Sequence, residues 1–115
     1  MKRIEREAED GTVLLAETQD SGRGRLARNW FSPLGGIWMS VLLRPTQPTS
    51  HQVLTLSFGV AVTRAIFGVT GVSPLLKWPN DVMIRSRKVA GILAESTYDG
   101  AKLKHLIVGI GVNVN

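Results

Sequence analysis

The stretch from Thr49 to Phe67 constrains the fold of this chain most. Thr49-Ser50-His51-Gln52 has the form of a capping box, with Thr49 as the N-cap and Gln52 reaching back, and Val53 to Phe67 continues as a mostly apolar helix. A helix whose weakly polar stripe is only Gln52, Thr55, Gly59 and Thr63 has to be buried against something larger than itself. The rest of the chain supplies strands. Thr12–Thr18, Gly36–Arg44, Val82–Ile84, Lys88–Thr97 and Leu103–Asn115 are rich in apolar and β-branched residues and are bounded by turn residues. Pro45 and Pro48 stop the second of these, and its near-continuous apolar run predicts burial on both faces. Arg85-Ser86-Arg87 connects the third to the fourth, and Asp99-Gly100 marks a hairpin between the last two. A short polar helix is expected over residues 2–9, ending at Asp10-Gly11. The expected fold is α+β, with a helix packed on a largely antiparallel sheet.

A chain of 115 residues can bury one core, so residues 1–115 are read as a single domain without repeats or linkers. Hydrophobic content of 43% with 20% charged residues excludes a disordered chain. The absence of cysteine excludes disulfides, thiolate metal sites and a cysteine nucleophile. The first ten residues are charged rather than apolar, and no uninterrupted apolar run reaches the roughly 18 residues of a membrane span. A cytoplasmic protein without a membrane partner is therefore expected.

The net charge of +5 is unevenly placed. Residues 1–20 carry 3 basic and 6 acidic side chains, whereas residues 21–115 carry 11 basic and 3 acidic. Between Ser21 and Asn80 there is no carboxylate, while Arg23, Arg25, Arg28, Arg44, Arg64 and Lys77 all lie there, so an anionic partner is expected.

Three segments can carry chemistry. The first is Gly22-Arg23-Gly24-Arg25-Leu26-Ala27-Arg28-Asn29-Trp30-Phe31. It lacks the third glycine and the apolar residues of a dinucleotide fingerprint, which argues against a Rossmann phosphate loop. Arginines at alternate positions among glycines suit a loop that closes over a carboxylate or phosphate. A solvated basic loop fits the same residues equally well. Trp30 and Phe31 either pack into the core or stack on a planar ligand.

The second segment is Lys77-Trp78-Pro79-Asn80-Asp81, followed by Lys88 to Glu95. Asp81 is the first carboxylate after a sixty-residue gap and can bind a metal or orient a lysine, although Pro-Asn-Asp is also good turn sequence. Lys88 heads a strand of apolar residues, which places its ammonium at the mouth of a pocket. Gly91, in mid-strand, weakens that strand unless a ligand or another backbone comes close. The third segment, Gly109-Ile110-Gly111-Val112-Asn113, repeats this pattern, with Asn113 able to read a base edge.

In order and spacing, GRGRLARNWFSP, KWPNDV, RKVAGILAE and GIGVNVN resemble the catalytic domain of biotin protein ligases. The resemblance runs from about Glu17 to Asn115 and implies a class II aminoacyl-tRNA synthetase-like domain, a mixed, largely antiparallel sheet with packed helices. It also implies ATP and biotin as substrates with magnesium on the triphosphate, formation of biotinyl-5'-AMP, and transfer of biotin to a lysine of a biotin carboxyl carrier protein. Residue by residue, it assigns Gln19, Arg23 and Arg25 to biotin or adenylate contacts and orders the Gly22–Arg28 loop over the intermediate. Trp30 lies against the adenine, Lys88 contacts the biotin carboxylate and the phosphate, Asn80 and Asn113 bind the adenylate, and Asp81 is the candidate base. Gly22, Gly24, Arg28, Lys77, Gly91 and Gly111 join the expected cofactor site, and no residue is assigned to a metal.

Two departures matter. Ala27 stands where the family usually has a third glycine, which is expected to stiffen the loop. The family's Ser-Thr pair for the biotin ring lies upstream of the matching region and its small C-terminal domain downstream, so a fragment is expected, without adenylation by this chain alone. Nucleic acid is an expected partner only through a further N-terminal domain, and a homodimer is open. The competing readings are a basic nucleic-acid-binding module, motivated by a pI near 10.3, and the related lipoate ligases, whose motifs differ from KWPND. No recognition helix or RNA-binding motif supports the former.

Overall fold

The computed structural model describes residues 6–114. Of the polar helix expected over residues 2–9, residues 2–5 lie outside the described residues, while Arg6 and Glu7 are helical. Asn115 also lies outside them. Six strands, β1 (Val13–Ala16), β2 (Ile37–Leu43), β3 (Leu75–Lys77), β4 (Asp81–Ile84), β5 (Arg87–Asp99) and β6 (Lys102–Val112), form one sheet in the order β1-β2-β6-β5-β4-β3. Every neighbouring pair is antiparallel.

The one long helix, α1 (His51–Thr70), explains that order. At about 30 Å for twenty residues, it carries the chain from β2 to the far edge, where β3 begins. The meander β3-β4-β5-β6 then returns and lays β6 against β2. Connections of three residues between β3 and β4 and of two residues in the other hairpins make this return tight. Arg85 and Ser86, with φ of 50° and 64°, form the β4–β5 turn, and both positive angles match the twist of a hairpin.

The helix starts one residue later than its capping box predicts. Ser50 is the N-cap, its hydroxyl accepting from the amides of Gln52 and Val53, while Thr49 donates to the carbonyl of Gln47. Gly71, with φ of 72°, ends the helix. The middle of the weakly polar stripe faces inward: Thr55 and Gly59 are buried with Val62, Thr63 is half-buried and Gln52 is exposed. Small residues let the helix come close, since a Cβ on Gly59 would stand 2.6 Å from Leu76 Cδ1. Val53, Val60, Phe67 and Val69 point outward. By length and composition α1 could also cross a membrane, but here it packs on β3, β4 and β5.

Alternation along the strands splits the sheet into two faces. Val82, Ala90, Ile92, Val108 and Ile110 form the core with Val62 of α1. Each Val or Ile so buried contributes roughly 1.5–3 kcal/mol. β2 lies second from the edge and is only partly covered: Trp38 and Leu42 are buried, but Ile37 is exposed. The opposite face of β5 and β6, bearing Gly91, Leu93, Glu95, Gly109 and Gly111, is left for the site.

Candidate functional site

The residues from Gln19 to Ser32 form a flap whose two arms bridge at Gln19–Ser32 and at Arg23–Asn29. Trp30 donates its amide to the Gly22 carbonyl, and Gly24 donates to Arg28. The Ser32 hydroxyl donates to Gln19 Oε1 at 2.7 Å. Gly22 is needed for this pairing, because a Cβ there would collide with the Trp30 carbonyl. The tip, Arg25–Ala27, is a single 3-10 turn in which Leu26 and Ala27 take φ of 56° and 58°, a region that favours glycine. Ala27 thus does more than stiffen the loop: it occupies a position that a glycine would hold without strain.

The flap closes over the free face of β5 and β6. Gly91 and Gly111 are direct cross-strand partners, and together they make a floor without side chains. The Trp30 indole lies across it. A Cβ on Gly111 would stand 2.7 Å from Trp30 Nε1, and one on Gly91 would stand 3.2 Å from the far edge of the ring. Trp30 Nε1 is buried without a hydrogen-bond partner among the described residues. Lys88 Nζ sits 4.9 Å from the ring centroid, within cation–π range. The same ammonium holds Asp81 Oδ1, which is shut off from solvent, at 2.8 Å. Phe31, the next residue, is 84% exposed.

These elements enclose a cleft of about 810 Å³. Of the residues expected at the site, Gln19, Arg23, Gly24, Arg25, Arg28, Trp30, Asn80, Asp81, Lys88, Gly91 and Gly111 all line it. Three expected residues do not. Lys77 lies on the exposed edge strand β3, Gly22 turns inward to its own flap, and Asn113 follows the end of β6, where its amide donates to the Val89 carbonyl. Asn80 lines the cleft but is committed to structure, with Nδ2 donating to the buried Ile92 carbonyl at 3.1 Å and its own carbonyl accepting from Ile92. Gly109 lines it without being crowded, since a Cβ there would meet only ordinary contact.

The expected anion partner is narrowed in the same way. Arg44 is tied to the N-terminal segment, donating to the Ala8 carbonyl and, through its amide, to Asp10. Arg64 stands on α1, across the sheet from the cleft. Arg23, Arg25, Arg28 and Lys88 remain as the cations of the cleft.

A family model described as the biotin/lipoate A/B protein ligase family matches residues 2–113. The chain belongs to that family. Among similar ligases, the bifunctional ligase/repressor BirA of Bacillus subtilis is 43% identical over 110 residues, covering 94% of this chain and 34% of the relative. The biotin–[acetyl-CoA-carboxylase] ligase of Mycobacterium tuberculosis is 40% identical over 113 residues, 91% of this chain and 40% of its own length. The structure of the Aquifex aeolicus biotin protein ligase in complex with biotin and ATP superposes with a TM-score of 0.85 at 41% identity, covering 99% of this chain and 47% of that one. The chain thus spans between a third and a half of the length of these three ligases. Glu95 is a charged cleft residue that sequence reasoning missed. It pairs with Arg23 at 3.2 Å across 72 residues, and its only signal was being one of the three carboxylates in residues 21–115.

Proposed function

We propose that the cleft binds biotin and ATP, activates the biotin carboxylate as biotinyl-5'-AMP, and passes biotin to a lysine of a biotin carboxyl carrier protein in the cytoplasm. The observation that carries this reading is the gathering of Arg23, Arg25, Arg28 and Lys88 around a glycine floor on which an indole lies. In the first step a carboxylate oxygen attacks the α-phosphorus and pyrophosphate leaves. Two anions must be brought together for this, and cations held on a rigid strand and a closing flap lower their repulsion and meet the charge that builds on phosphorus. Lys88 is the natural bridge, because β5 fixes its backbone and Asp81 fixes its ammonium.

In the second step the amine of the acceptor lysine attacks the biotinyl carbonyl and AMP leaves with its electron pair. That amine has to be neutral, and Asp81, the carboxylate beside Lys88, is the group that can take its proton. Magnesium enters with the triphosphate. No group of three or more acidic or histidine side chains gathers among the described residues, so phosphate oxygens and water would be its main ligands, and Asp81 and Glu95 are the carboxylates that line the cleft.

The reading is tested by incubating the chain with ATP and biotin and, in parallel, by titrating it with a non-hydrolysable biotinyl-adenylate analogue. Biotin-dependent pyrophosphate release supports the full activity. Binding of the analogue without turnover leaves the chain the adenylate site alone. A response to the lipoyl analogue only, or salt-sensitive binding to a generic oligonucleotide with none to the adenylate, would refute the reading.

A further inference from the structure

Two side-chain amides of the cleft are held by hydrogen bonds, and they are held by opposite ends. Asn80 spends its nitrogen on the Ile92 carbonyl, whereas Gln19 spends its oxygen, accepting from the Ser32 hydroxyl at 2.7 Å. Gln19 and Ser32 face each other across an antiparallel bridge, which puts both side chains on one side of the paired arms. Ser32 is 4% exposed, while Gln19 reaches the cleft. The hydroxyl has one proton and two acceptors near it, Gln19 Oε1 and, at 3.3 Å, the Trp30 carbonyl. The shorter contact has the length of an O–H···O bond, about 2.7–2.8 Å, rather than the roughly 2.9–3.0 Å of N–H···O. The proton therefore lies toward Gln19 and orients its amide. Oε1 turns in toward Ser32 and the Gly22 backbone, where a Cβ would stand 2.9 Å from it. Nε2 is left on the cleft side, with its protons to donate.

We propose that Ser32 is a positioning residue that fixes the Gln19 amide with its nitrogen toward the cleft, so that this end of the site takes a neutral hydrogen-bond acceptor and rejects a donor. The inference rests on the biotin-binding reading for the identity of that acceptor. Arg23, Arg25, Arg28 and Lys88 answer the anionic groups of the proposed ligand, and Trp30 its base. The polar group of biotin left over is its cyclic urea, whose carbonyl oxygen is such an acceptor. A flipped amide would still bond Ser32, with Nε2 donating to Oγ and the hydroxyl turning to the more distant Trp30 carbonyl. The cost of flipping is therefore modest, and Ser32 sets a preference between two orientations.

Nuclear magnetic resonance of the unliganded protein tests the orientation by itself. The Gln19 amide protons should show no nuclear Overhauser effect to the Gly22 Hα in the wild type, because the oxygen occupies that side. They should show one in Ser32→Ala, where both orientations are populated. Recognition is tested by titration with biotin and with 2-iminobiotin, in which a protonated guanidine puts an N–H donor where biotin has its urea oxygen. Equal population of the two orientations halves the competent fraction for biotin and raises it for 2-iminobiotin. Ser32→Ala should thus weaken biotin about twofold, tighten 2-iminobiotin about three- to fivefold, and lower the ratio of the two affinities about six- to tenfold. In Gln19→Glu both carboxylate oxygens accept, so 2-iminobiotin should bind better than biotin, and adding Ser32→Ala should leave that ratio unchanged. A merely structural effect of losing Ser32 would instead weaken both ligands together in either background. A wild-type Overhauser effect between the Gln19 amide and Gly22 overturns the orientation. An unchanged ratio in Ser32→Ala, with biotin bound by the wild type, overturns this inference alone. A wild-type chain that binds neither compound overturns the recognition together with the proposed function.

Discussion

Replacing Gly111 by alanine puts a methyl group where the Trp30 indole now lies. The new carbon would stand 2.7 Å from Nε1 and 3.0 Å from Cε2, whereas unstrained carbon contacts lie near 3.5–4.0 Å, so the ring has to retreat by roughly 1 Å. Overpacking of this kind costs about 1–3 kcal/mol. Alanine in a strand regains about 0.5–1 kcal/mol of the entropy that glycine loses, which leaves a net destabilisation of about 0.5–2 kcal/mol. Urea unfolding followed by tryptophan fluorescence measures it, with a change in native emission as Trp30 leaves its seat. Gly91→Ala meets Lys88 Cε and the far ring edge at 3.2 Å; a flexible side chain yields there, and a cost below about 1 kcal/mol is expected. Gly109→Ala, whose methyl would meet only the Leu93 carbonyl at 3.6 Å, should be neutral or slightly stabilising. A Gly109→Ala protein as destabilised as Gly111→Ala, or unchanged emission in the latter, would refute the glycine floor.

Three further outcomes are expected. Asn80→Ala should lower unfolding stability by about 1–3 kcal/mol, because the buried Ile92 carbonyl loses its partner; urea denaturation checks it. Ser50→Ala should cost about 1 kcal/mol and Thr49→Ala under about half of that, since only Ser50 accepts from the first helical amides; paired thermal melts decide between them. Ala27→Gly should stabilise by up to about 1 kcal/mol, as relief of the left-handed strain outweighs the added freedom of the unfolded chain, and the same melts measure it.

Local signals were legible in the sequence. The helix lies within a few residues of where its capping and apolar run put it, the turns at Arg85-Ser86 and Gly100 follow their residues, and four separated motifs converge on one cleft. Contacts between distant segments were not. The inward stripe of α1 looked polar because Thr55 and Gly59 are small, and small residues are what a close helix–sheet contact selects. Three residues, Leu75–Lys77, are too short to announce a strand; β3 exists because β4 supplies a partner. Asn80 could be read for a ligand because its real partner, Ile92, comes from another strand. Glu95 was missed for the same reason: a carboxylate acquires meaning only from the arginine placed opposite it, 72 residues away.

Lys88 joins the flap, the glycine floor and Asp81 in one place, and the affinity of the cleft for a biotinyl-adenylate analogue therefore tests the central claim most directly. Losing a charge-assisted hydrogen bond costs about 1.5–3 kcal/mol, which is roughly a 10- to 100-fold weaker Kd. Calorimetric titration should give measurable binding by the wild-type chain and that loss in Lys88→Met, with folding retained. No binding by the wild-type chain, or equal binding by Lys88→Met, would contradict it.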